Sequence, residues 1–328
     1  MKGLVIGLGS MGKRRIRNLI HIGDIEVLGF DKRSDRLKEA KDKYSIEVSD
    51  DFDDLVKRHH FDFFVISTSP ESHMKYAYIA HSMNISAFIE ASVVEKEKIF
   101  ELYNLSKKTN LIFAPSCTMC FFDGPKKVKE LIQCGAIGKV ATFNYHTGQY
   151  LPDWHPWESI HDFYVSKRDT GAAREIVPFE LTWLNDIFGQ PRVINSYYLN
   201  TGIVDADIDD FYTALLDYNG VIANITVEVI SKNRATRYLR VLGDGGQIIF
   251  DGDENIVKYV NDKSKEWKVT ELAKGTVESG YINPENPYIE EMQCFINAVR
   301  QGDLQFYPNN LKKDYEILCQ LEAIERAK

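Results

Sequence analysis

The fold is decided near the N-terminus by Leu4-Val5-Ile6-Gly7-Leu8-Gly9-Ser10-Met11-Gly12-Lys13. A short apolar run leads into three glycines with the spacing G-x-G-x-x-G. After them Ile16, Leu19 and Ile20 recur at helical spacing until Gly23 ends the pattern. This order predicts a strand, a glycine turn and a helix.

Strand and helix patterns continue to alternate through the first third of the chain. Further strands are predicted at residues 26–30, 61–66, 86–89 and 111–114. Helices are predicted between them at residues 35–44, 71–83 and 95–107. Such alternation predicts an α/β domain with a doubly wound parallel sheet and helices on both faces.

The glycines have separate physical roles in a turn of this kind. Gly7 permits the tight turn, Gly9 lets the backbone approach a pyrophosphate, and Gly12 lets helix and strand pack closely. The helix N-terminus that follows favours phosphate, so Ser10 and Met11 are also predicted cofactor contacts. The motif is weak by itself, but a strand before it and a helix after it make it a prediction of dinucleotide binding.

Asp31 ends the second predicted strand, roughly 20 residues after the glycine motif, as in dinucleotide-binding domains. Its carboxylate would accept hydrogen bonds from ribose hydroxyls and repel a 2′-phosphate, which favours NAD. Lys32 and Arg33 follow directly, and an adjacent cation accommodates the 2′-phosphate of NADP. The sequence therefore predicts NAD, with NADP left open.

Small hydroxyl residues follow the strand at residues 61–66, where open parallel sheets bind their ligands. Cofactor contacts are predicted there for Ser67, Thr68, Ser69, Pro70 and His73. Ser69 followed by Pro70 also has the sequence of a helix cap with proline at the first helical position. The two roles are compatible.

The pattern becomes rich in strands from Val140 onward. Strands are predicted at residues 140–149, 193–200, 211–218, 221–230, 238–242, 247–250 and 256–260. Hairpin turns are predicted at residues 218–221 and 243–246, and helices at residues 178–188, 286–301 and 309–327. These features predict a Rossmann domain at residues 1–118, a domain with an open, mainly antiparallel sheet at 119–305, and a C-terminal helix at 306–328 that returns to the first domain.

Length and composition exclude several classes of protein. The chain has 328 residues, 44% hydrophobic and 27% charged, which suits two globular domains rather than a disordered or low-complexity chain. A formal net charge of −8 argues against nucleic acid as a partner. No apolar run approaches the roughly 20 residues that span a membrane, so no membrane association is expected.

Five scattered cysteines predict a reducing, cytoplasmic environment rather than a disulfide framework. Cys117 and Cys120 have a suggestive spacing, but no second cysteine pair or histidine cluster follows at ligand spacing. No metal site is therefore predicted.

Taken in order, these motifs resemble the Gfo/Idh/MocA family of oxidoreductases over essentially the whole chain. The resemblance is carried by the glycine motif, Asp31, Ser67-Thr68-Ser69-Pro70 with His73, Glu90, and Gly135-Ala136-Ile137-Gly138-Lys139-Val140. It implies hydride transfer between NAD(P) and a hydroxyl or carbonyl of a sugar or nucleotide sugar. It also implies a homodimer or homotetramer packed through the open sheet, and a nicotinamide ring near Glu90 and Ala91.

The catalytic landmarks of that family are altered here. Glu90-Ala91-Ser92 stands where the family carries Glu-Lys-Pro, and Cys120-Phe121-Phe122-Asp123 where many members read Arg-Phe-His-Pro. Glu175 replaces the family's aspartate and Phe179 its histidine, and phenylalanine cannot transfer a proton. Two alternatives therefore stay open: an NAD-binding sensor or assembly partner without turnover, and an enzyme that uses NAD transiently for elimination or epimerisation.

Residues 150–174, here called the substrate segment, hold two of the four tryptophans and two of the eight histidines. Aromatic faces suit sugars and nucleobases, and histidines exchange protons near neutral pH. Catalytic roles are predicted for His161, His155, Lys167 and Glu175, with either histidine replacing Phe179 as the acid/base. Substrate contacts are predicted for Trp154, Trp157, Tyr164, Arg168, Arg174 and Glu180. The alternative is an ordered crossover whose aromatic residues pack against the sheet.

Overall fold

The computed structural model describes residues 1–156, 158–279, 281 and 283–328. Its strands are β1 Lys2–Ile6, β2 Glu26–Phe30, β3 Glu47–Ser49, β4 Phe63–Ile66, β5 Ser86–Ile89, β6 Phe113–Pro115, β7 Val140–Gly148, β8 Arg192–Leu199, β9 Phe211–Tyr218, β10 Val221–Glu228, β11 Thr236–Gly243, β12 Gly246–Asp251, β13 Ile256–Asn261 and β14 Lys268–Glu271. Its helices are α1 Ser10–Ile22, α2 Ser34–Tyr44, α3 Phe52–Arg58, α4 His73–Ser82, α5 Lys96–Ser106, α6 Asp123–Gln133, α7 Ala172–Phe188, α8 Asn286–Gln301 and α9 Leu311–Arg326.

The chain divides into two compact units. The first comprises Met1–Thr118 and Glu285–Glu316, and the second comprises Met119–Pro284 and Ile317–Lys328. The first unit therefore includes α8. The Phe295 ring of α8 packs edge-on against two rings of the first sheet.

Six parallel strands form the sheet of the first unit in the order β3-β2-β1-β4-β5-β6. Every residue of β4 and β5 is buried, as expected for strands covered on both faces. The predicted doubly wound fold is confirmed. β3 was not predicted, because three residues give little periodicity. The acidic run at residues 50–54 has the sequence of a capped helix start, and Asp51 caps α3 by accepting a hydrogen bond from the Asp54 N–H.

Eight strands form the sheet of the second unit in the order β14-β13-β12-β11-β7-β10-β9-β8. β7 and β10 pair in parallel, and the other neighbours are antiparallel, which confirms the predicted mainly antiparallel sheet. Along β9 alternate side chains are buried, and α6 and α7 pack against the sheet. The other face carries exposed large side chains at Tyr197, Leu215, Ile222 and Tyr238.

The predicted start of α7 at Pro178 was wrong. The helix begins at Ala172, and the Glu175 N–H donates to the Gly171 carbonyl, so Pro178 lies inside it. A proline has the same local sequence signal at a first helical position, where its missing N–H costs nothing. The neighbouring segments supply enough buried contacts to extend the helix backwards, since Ala172, Ala173, Ile176 and Val177 are all buried.

Across the residues that the structure describes, no helix has both the length and the apolar composition to span a membrane.

Candidate functional site

The carboxyl ends of β1, β2, β4 and β5 with the loops that follow them, here called the cofactor edge, carry the glycine motif. Gly7 has a φ of 90°, and a Cβ there would lie 2.5 Å from the Ser67 carbonyl oxygen. A Cβ at Gly12 would lie 1.8 Å from the Gly7 carbonyl oxygen. Only glycine fits either position, and α1 then begins at Ser10 with first-turn N–H groups of the kind that bind phosphate.

Asp31 is buried at the end of β2 and faces the glycine motif. Its Oδ2 accepts a hydrogen bond of 2.7 Å from the Leu8 N–H, and its Oδ1 accepts one of 2.9 Å from the Arg33 N–H. Arg36, in the first turn of α2, places Nη1 3.5 Å from the same Oδ2. The carboxylate is therefore fixed where an acceptor for ribose hydroxyls is expected.

The side chains of the two predicted cations beside Asp31 are engaged elsewhere. Lys32 Nζ donates to the Asp50 carbonyl at 2.7 Å. Arg33 donates two hydrogen bonds, of 3.1 and 2.6 Å, to the carboxylate of Asp35. Sequence reasoning missed Arg36, whose signal is its place in the first turn of the helix that follows the Asp31 strand.

The turn after β4 places a histidine at the cofactor edge. His73 Nε2 lies 3.0 Å from the Thr68 carbonyl oxygen, so Nε2 carries the hydrogen. Burial lowers the pKa of His73, which favours the neutral ring. Its Nδ1 is buried and accepts no hydrogen bond from the described residues. Pro70 begins a short 3₁₀ turn, as predicted, without a capping bond from the Ser69 side chain in the described structure.

Glu90 is held by an arginine that the sequence analysis overlooked. Arg15 is completely buried in α1; its Nε donates to Glu90 Oε1 at 2.7 Å and its Nη2 to Oε2 at 3.0 Å. Ser67 Oγ adds a hydrogen bond of 3.2 Å to Glu90. The signal was available, because Arg15 lies three residues after Gly12, on the helix face that must pack against the sheet.

Glu291 of α8 completes this buried cluster. Arg15 Nη1 donates to Glu291 Oε2 at 2.8 Å, and the Cys117 N–H and the Tyr307 hydroxyl donate to Oε1 at 2.6 and 3.2 Å. Burial would lower the pKa of Arg15, but Glu90 and Glu291 outweigh burial and raise it. The arginine is therefore charged, and it links the helix after the glycine motif to the end of β5.

After Glu90 the chain has a small side chain and a buried hydroxyl, and a buried carboxyl from α9 lies beside that hydroxyl. Ala91 is half-buried, Ser92 is buried, and Asp314 from the first turn of α9 is buried beside Ser92. Burial raises the pKa of Asp314 to about 7, against a smaller opposing effect of the Ser92 hydroxyl. Asp314 was not predicted from the sequence, because nothing in its local pattern marks a buried carboxyl.

The substrate segment belongs to the second unit and folds as a series of short 3₁₀ turns. They lie at Leu151–Asp153, Ile160–Asp162, Tyr164–Ser166 and Arg168–Thr170. Trp154 is half-buried, and its indole Nε1 is buried without an acceptor among the described residues. Trp157 lies outside the described residues, so its predicted substrate contact stays a prediction.

The two candidate histidines have different surroundings. His155 Nδ1 lies 2.8 Å from Glu158 Oε1, and the imidazole packs against the Phe163 ring with centroids 4.8 Å apart. His161 has a side chain 56% exposed, and its Nε2 lies 3.7 Å from a carboxylate oxygen of Asp205. Only the first has the short carboxylate contact that orients an acid/base histidine.

The predicted cations of the segment are paired or exposed. Arg168 pairs with Asp207 at 2.6 Å and Asp209 at 3.2 Å. Arg174 donates to the Glu325 carboxylate through Nε at 2.6 Å and Nη2 at 3.2 Å. Lys167 is exposed. Carboxylates therefore neutralise the two arginines that were expected to contact substrate.

Glu175 and Phe179 lie one turn apart on α7 and are both half-buried. Glu175 Oε1 accepts a hydrogen bond of 2.9 Å from the Tyr164 hydroxyl. Glu180, in contrast, is completely buried and accepts from the Tyr145 hydroxyl, the Trp183 indole and Arg237 at 2.6 to 2.8 Å. The predicted substrate contact of Glu180 does not agree with this burial, because three core donors already surround the carboxylate.

The residues of the cofactor edge fit a dinucleotide. Glycines 7 and 12 form a turn that no side chain fits, and Asp31 presents a fixed carboxylate. The buried His73 Nδ1 accepts no hydrogen bond from any residue that the structure describes. Within the described parts of the chain, no group of three His, Cys, Asp or Glu side chains is arranged to hold a metal ion.

Comparisons with known proteins agree with this geometry. The family model described as an oxidoreductase family with an NAD-binding Rossmann fold matches residues 1–116. The model of the GFO/IDH/MocA C-terminal domain matches residues 126–249. Among curated proteins, none matches the chain.

Solved structures share the fold over the full chain. An oxidoreductase from Agrobacterium radiobacter, in complex with NAD+, L-tartaric acid and magnesium, is 14% identical with a TM-score of 0.84, covering 100% of this chain and 96% of that one. A myo-inositol 2-dehydrogenase from Lactobacillus plantarum is 18% identical with a TM-score of 0.81 and the same coverage. A UDP-N-acetylglucosamine 3-dehydrogenase from Acidithiobacillus ferrooxidans is 16% identical with a TM-score of 0.79, covering 100% and 97%.

At these identities the structures show the fold alone, whereas the two family models cover most of the chain. The first family model and the glycine turn together identify NAD as the cofactor. The chain belongs to the GFO/IDH/MocA family of oxidoreductases.

Proposed function

We propose that this protein transfers a hydride between NAD(P) and a hydroxyl or carbonyl group of a sugar or nucleotide sugar. The observation that carries the proposal is the pair formed by His155 and Glu158, whose Nδ1 and Oε1 lie 2.8 Å apart. Ala91 and Phe179 have no titratable group, so proton transfer needs another residue. The pair supplies one within the substrate segment.

The geometry of the pair suits an acid/base. A carboxylate acceptor at Nδ1 places the hydrogen on that nitrogen and makes Nε2 the basic atom. Oxidation of a hydroxyl then releases its proton to His155 Nε2 while the carbon-bound hydrogen leaves as hydride, which NAD accepts when bound. Reduction of a carbonyl runs the same transfers in reverse.

Aromatic and hydroxyl groups of the segment suit a carbohydrate. Trp154 offers a flat face and a buried indole N–H that lacks an acceptor in the described structure. Tyr164 and Glu175 add a hydroxyl and a carboxylate joined by a hydrogen bond of 2.9 Å. The dehydrogenases of similar fold act, by their names, on an inositol and a nucleotide sugar, which supports the same substrate class here.

We further propose that copies of the chain assemble through the open face of the second sheet. Tyr197, Leu215, Ile222 and Tyr238 expose apolar area on that face, and exposed apolar patches mark protein contacts. A homodimer or homotetramer would cover them. The absence of a nucleic-acid partner and a cytoplasmic location stay predictions.

The test is turnover with a matched pair of histidine variants. The purified chain is incubated with NAD and a panel of sugars, inositols and nucleotide sugars while NADH absorbance is followed. We expect one class to be oxidised, and we expect His155→Gln to lower kcat by about 10²- to 10⁴-fold, the usual contribution of a general acid/base. His161→Gln, in the same segment, is the control and should retain kcat within about threefold, since its ring is more than half exposed.

The alternative is an NAD-binding protein without turnover. Ala91 and Phe179 favour it, because neither side chain can transfer a proton. Tight NAD binding with no change in its redox state on any substrate would establish that alternative and refute the oxidoreductase proposal. Equal kcat values for wild type and His155→Gln would refute only the acid/base role of His155, and not the oxidoreductase proposal.

A further inference from the structure

We propose that Asp314, with Ser92 beside it, lies at the nicotinamide end of the dinucleotide site and lets this chain distinguish NAD+ from NADH. The oxidised ring carries a positive charge, which an ionised carboxyl attracts, whereas the reduced ring is neutral. This role concerns cofactor binding, so it holds whether or not the proposed reaction takes place.

Both residues belong to the first unit and lie at the carboxyl edge of its sheet. Ser92 is in the loop that follows β5. The chain enters α9 past the end of β6, where the Tyr307 hydroxyl and the Asn309 amide donate to the Pro115 carbonyl at 3.1 and 3.4 Å. Asp314, in the first turn of α9, is thereby brought to the edge where Ser92 lies.

The strand order assigns this part of the edge to the nicotinamide. In the order β3-β2-β1-β4-β5-β6 the direction of winding reverses between β1 and β4. A dinucleotide lies across that crevice with one nucleotide half on each side. Asp31, the expected ribose acceptor, follows β2 on one side, so the nicotinamide half lies on the side of β4, β5 and β6. Ser92 and Asp314 are on this second side.

The two side chains are buried and make no hydrogen bonds with each other or with their surroundings. Ser92 is 5% exposed and Asp314 is 6% exposed. Neither Ser92 Oγ nor Asp314 Oδ2 has a hydrogen-bond partner among the residues that the structure describes. Buried polar atoms are nearly always hydrogen-bonded, because leaving one without a partner costs stability. Two such atoms side by side at a cofactor site are therefore available to respond to what binds there.

The charged groups on the elements around Asp314 are already paired or neutral. The pairs are Lys312 with Glu316 on α9, Lys96 with Glu97 and Lys98 with Glu95 at the start of α5, and Arg15 with Glu90 at the end of β5. Lys313 donates to the Pro308 carbonyl at 2.7 Å. Burial lowers the pKa of His73, which favours its neutral ring.

Burial therefore decides the protonation of Asp314. It raises the pKa of the carboxyl to about 7, and the Ser92 hydroxyl opposes this to a smaller extent. No charged side chain of the described residues contributes to this pKa. A carboxyl of this kind is balanced between its two forms near neutral pH, so a charge arriving beside it changes which form prevails.

The sign of the effect follows from the charge of the ring. NAD+ favours the ionised carboxyl, so its binding lowers the pKa of Asp314 and releases protons near pH 7. NAD+ should therefore bind more tightly as pH rises through 7, whereas NADH should not. The two cofactors share the adenosine, the second ribose and the pyrophosphate, so the ratio of their Kd values isolates the ring.

The experiment measures Kd for NAD+ and NADH by calorimetry on the full chain between pH 6 and 8.5. If the ring lowers the pKa of Asp314 from about 7 to about 6, the ratio of the NAD+ Kd to the NADH Kd falls about fivefold over this range. At pH 6.5 the binding of NAD+ should release about half a proton, and that of NADH about none. Titration in two buffers of different ionisation enthalpy measures this release.

Three variants separate the carboxyl from its surroundings. Asp314→Asn cannot ionise, so the ratio should stay constant within about twofold across the pH range. Glu316→Gln, two residues further along the same helix, is the matched control and should keep the wild-type pH dependence. Ser92→Ala removes the group that lowers the pKa of Asp314, so the change in the ratio should move to higher pH. Thermal unfolding of each variant shows whether the fold is kept.

Three results would overturn the proposal. The first is a ratio that does not change with pH in wild type. The second is the full wild-type change in Asp314→Asn, which would assign it to another group such as His73. The third is a change that Ser92→Ala leaves at the same pH. None of these measurements needs turnover, so failure of the proposed reaction is seen separately, as NAD whose redox state no substrate alters.

Discussion

The cofactor edge and the substrate segment are positioned by different kinds of interaction. At the cofactor edge the backbone decides: the positive φ of Gly7 and the contact at Gly12 leave no space for a side chain. In the substrate segment the backbone is a run of short 3₁₀ turns, and pairs of side chains such as His155 with Glu158 fix the geometry. Backbone constraints leave a motif in the sequence, whereas side-chain pairs leave little.

The cofactor edge also depends on side-chain pairing, that of Arg15 with the buried carboxylates of Glu90 and Glu291. Breaking this pairing should have the largest effect on stability. Arg15→Met leaves the buried carboxylates of Glu90 and Glu291 without their cation. We expect the free energy of unfolding to fall by about 3 to 5 kcal/mol, because a buried ion pair that loses one partner leaves an uncompensated charge. Urea unfolding measures this.

The matched control for Arg15→Met is Lys13→Met, two residues earlier on the same helix. Lys13 pairs with Glu39, whose side chain is 48% exposed, so its loss should cost less than about 1 kcal/mol. NAD affinity should fall with Arg15→Met and not with Lys13→Met, since only Arg15 holds Glu90. Equal costs for the two variants would mean that the buried cluster does not support the cofactor edge.

A second buried group of the first unit should make stability depend on pH. The Asp314 carboxyl has a pKa of about 7 in the folded chain, whereas an unfolded aspartate ionises near pH 4. Between these values the folded state holds the proton more tightly, so stability falls as pH rises from 4 to 7 and is level above 7.

The variant Asp314→Asn removes this fall in stability with rising pH. We expect it to raise the free energy of unfolding at pH 8 by on the order of 2 to 4 kcal/mol and to change it little at pH 4. Urea unfolding at pH 5, 6, 7 and 8 gives the slope. Asp35→Asn, on the exposed surface, is the control and should keep the wild-type slope between pH 5 and 7. A variant Asp314→Asn with that same slope would contradict the prediction.

The turn of the cofactor edge could be predicted from the sequence because its determinants are local. Gly7 and Gly12 follow from spacing and lie in a turn without room for a side chain, and Asp31 directly follows β2. Their contacts with the cofactor stay predictions. Arg15 was missed although its place on the packed face of α1 was a usable signal, because its partners Glu90 and Glu291 are distant in the sequence. Asp314 was missed because its burial depends on α9 packing beside Ser92, which no local pattern encodes.

The substrate segment was predicted less completely for a related reason. Composition marked residues 150–174 as unusual, but it could not rank His155 above His161, because Glu158 and Asp205 provide the difference. The early start of α7 was also missed, since Pro178 has the same local signal at a first position as inside a helix. In both cases the missing information is which side chains meet.

The smallest expected effect concerns a cation that composition alone made a candidate for substrate binding. Arg168 pairs with Asp207 and Asp209 on the surface of the second unit, and its side chain is 53% exposed. Exposed pairs contribute less than about 1 kcal/mol and are screened by salt. Arg168→Ala should therefore lower the free energy of unfolding by less than that amount, with a smaller change at high salt.

The same pairing predicts how Arg168→Ala behaves toward substrate. Two aspartates already neutralise the guanidinium, so it has little charge to offer a substrate phosphate. We expect KM for an accepted sugar or nucleotide sugar to stay within about twofold of wild type, a change of less than 0.5 kcal/mol. A tenfold rise in KM confined to phosphate-bearing substrates would show instead that substrate displaces the aspartates, and that the segment rearranges its side-chain pairs on binding.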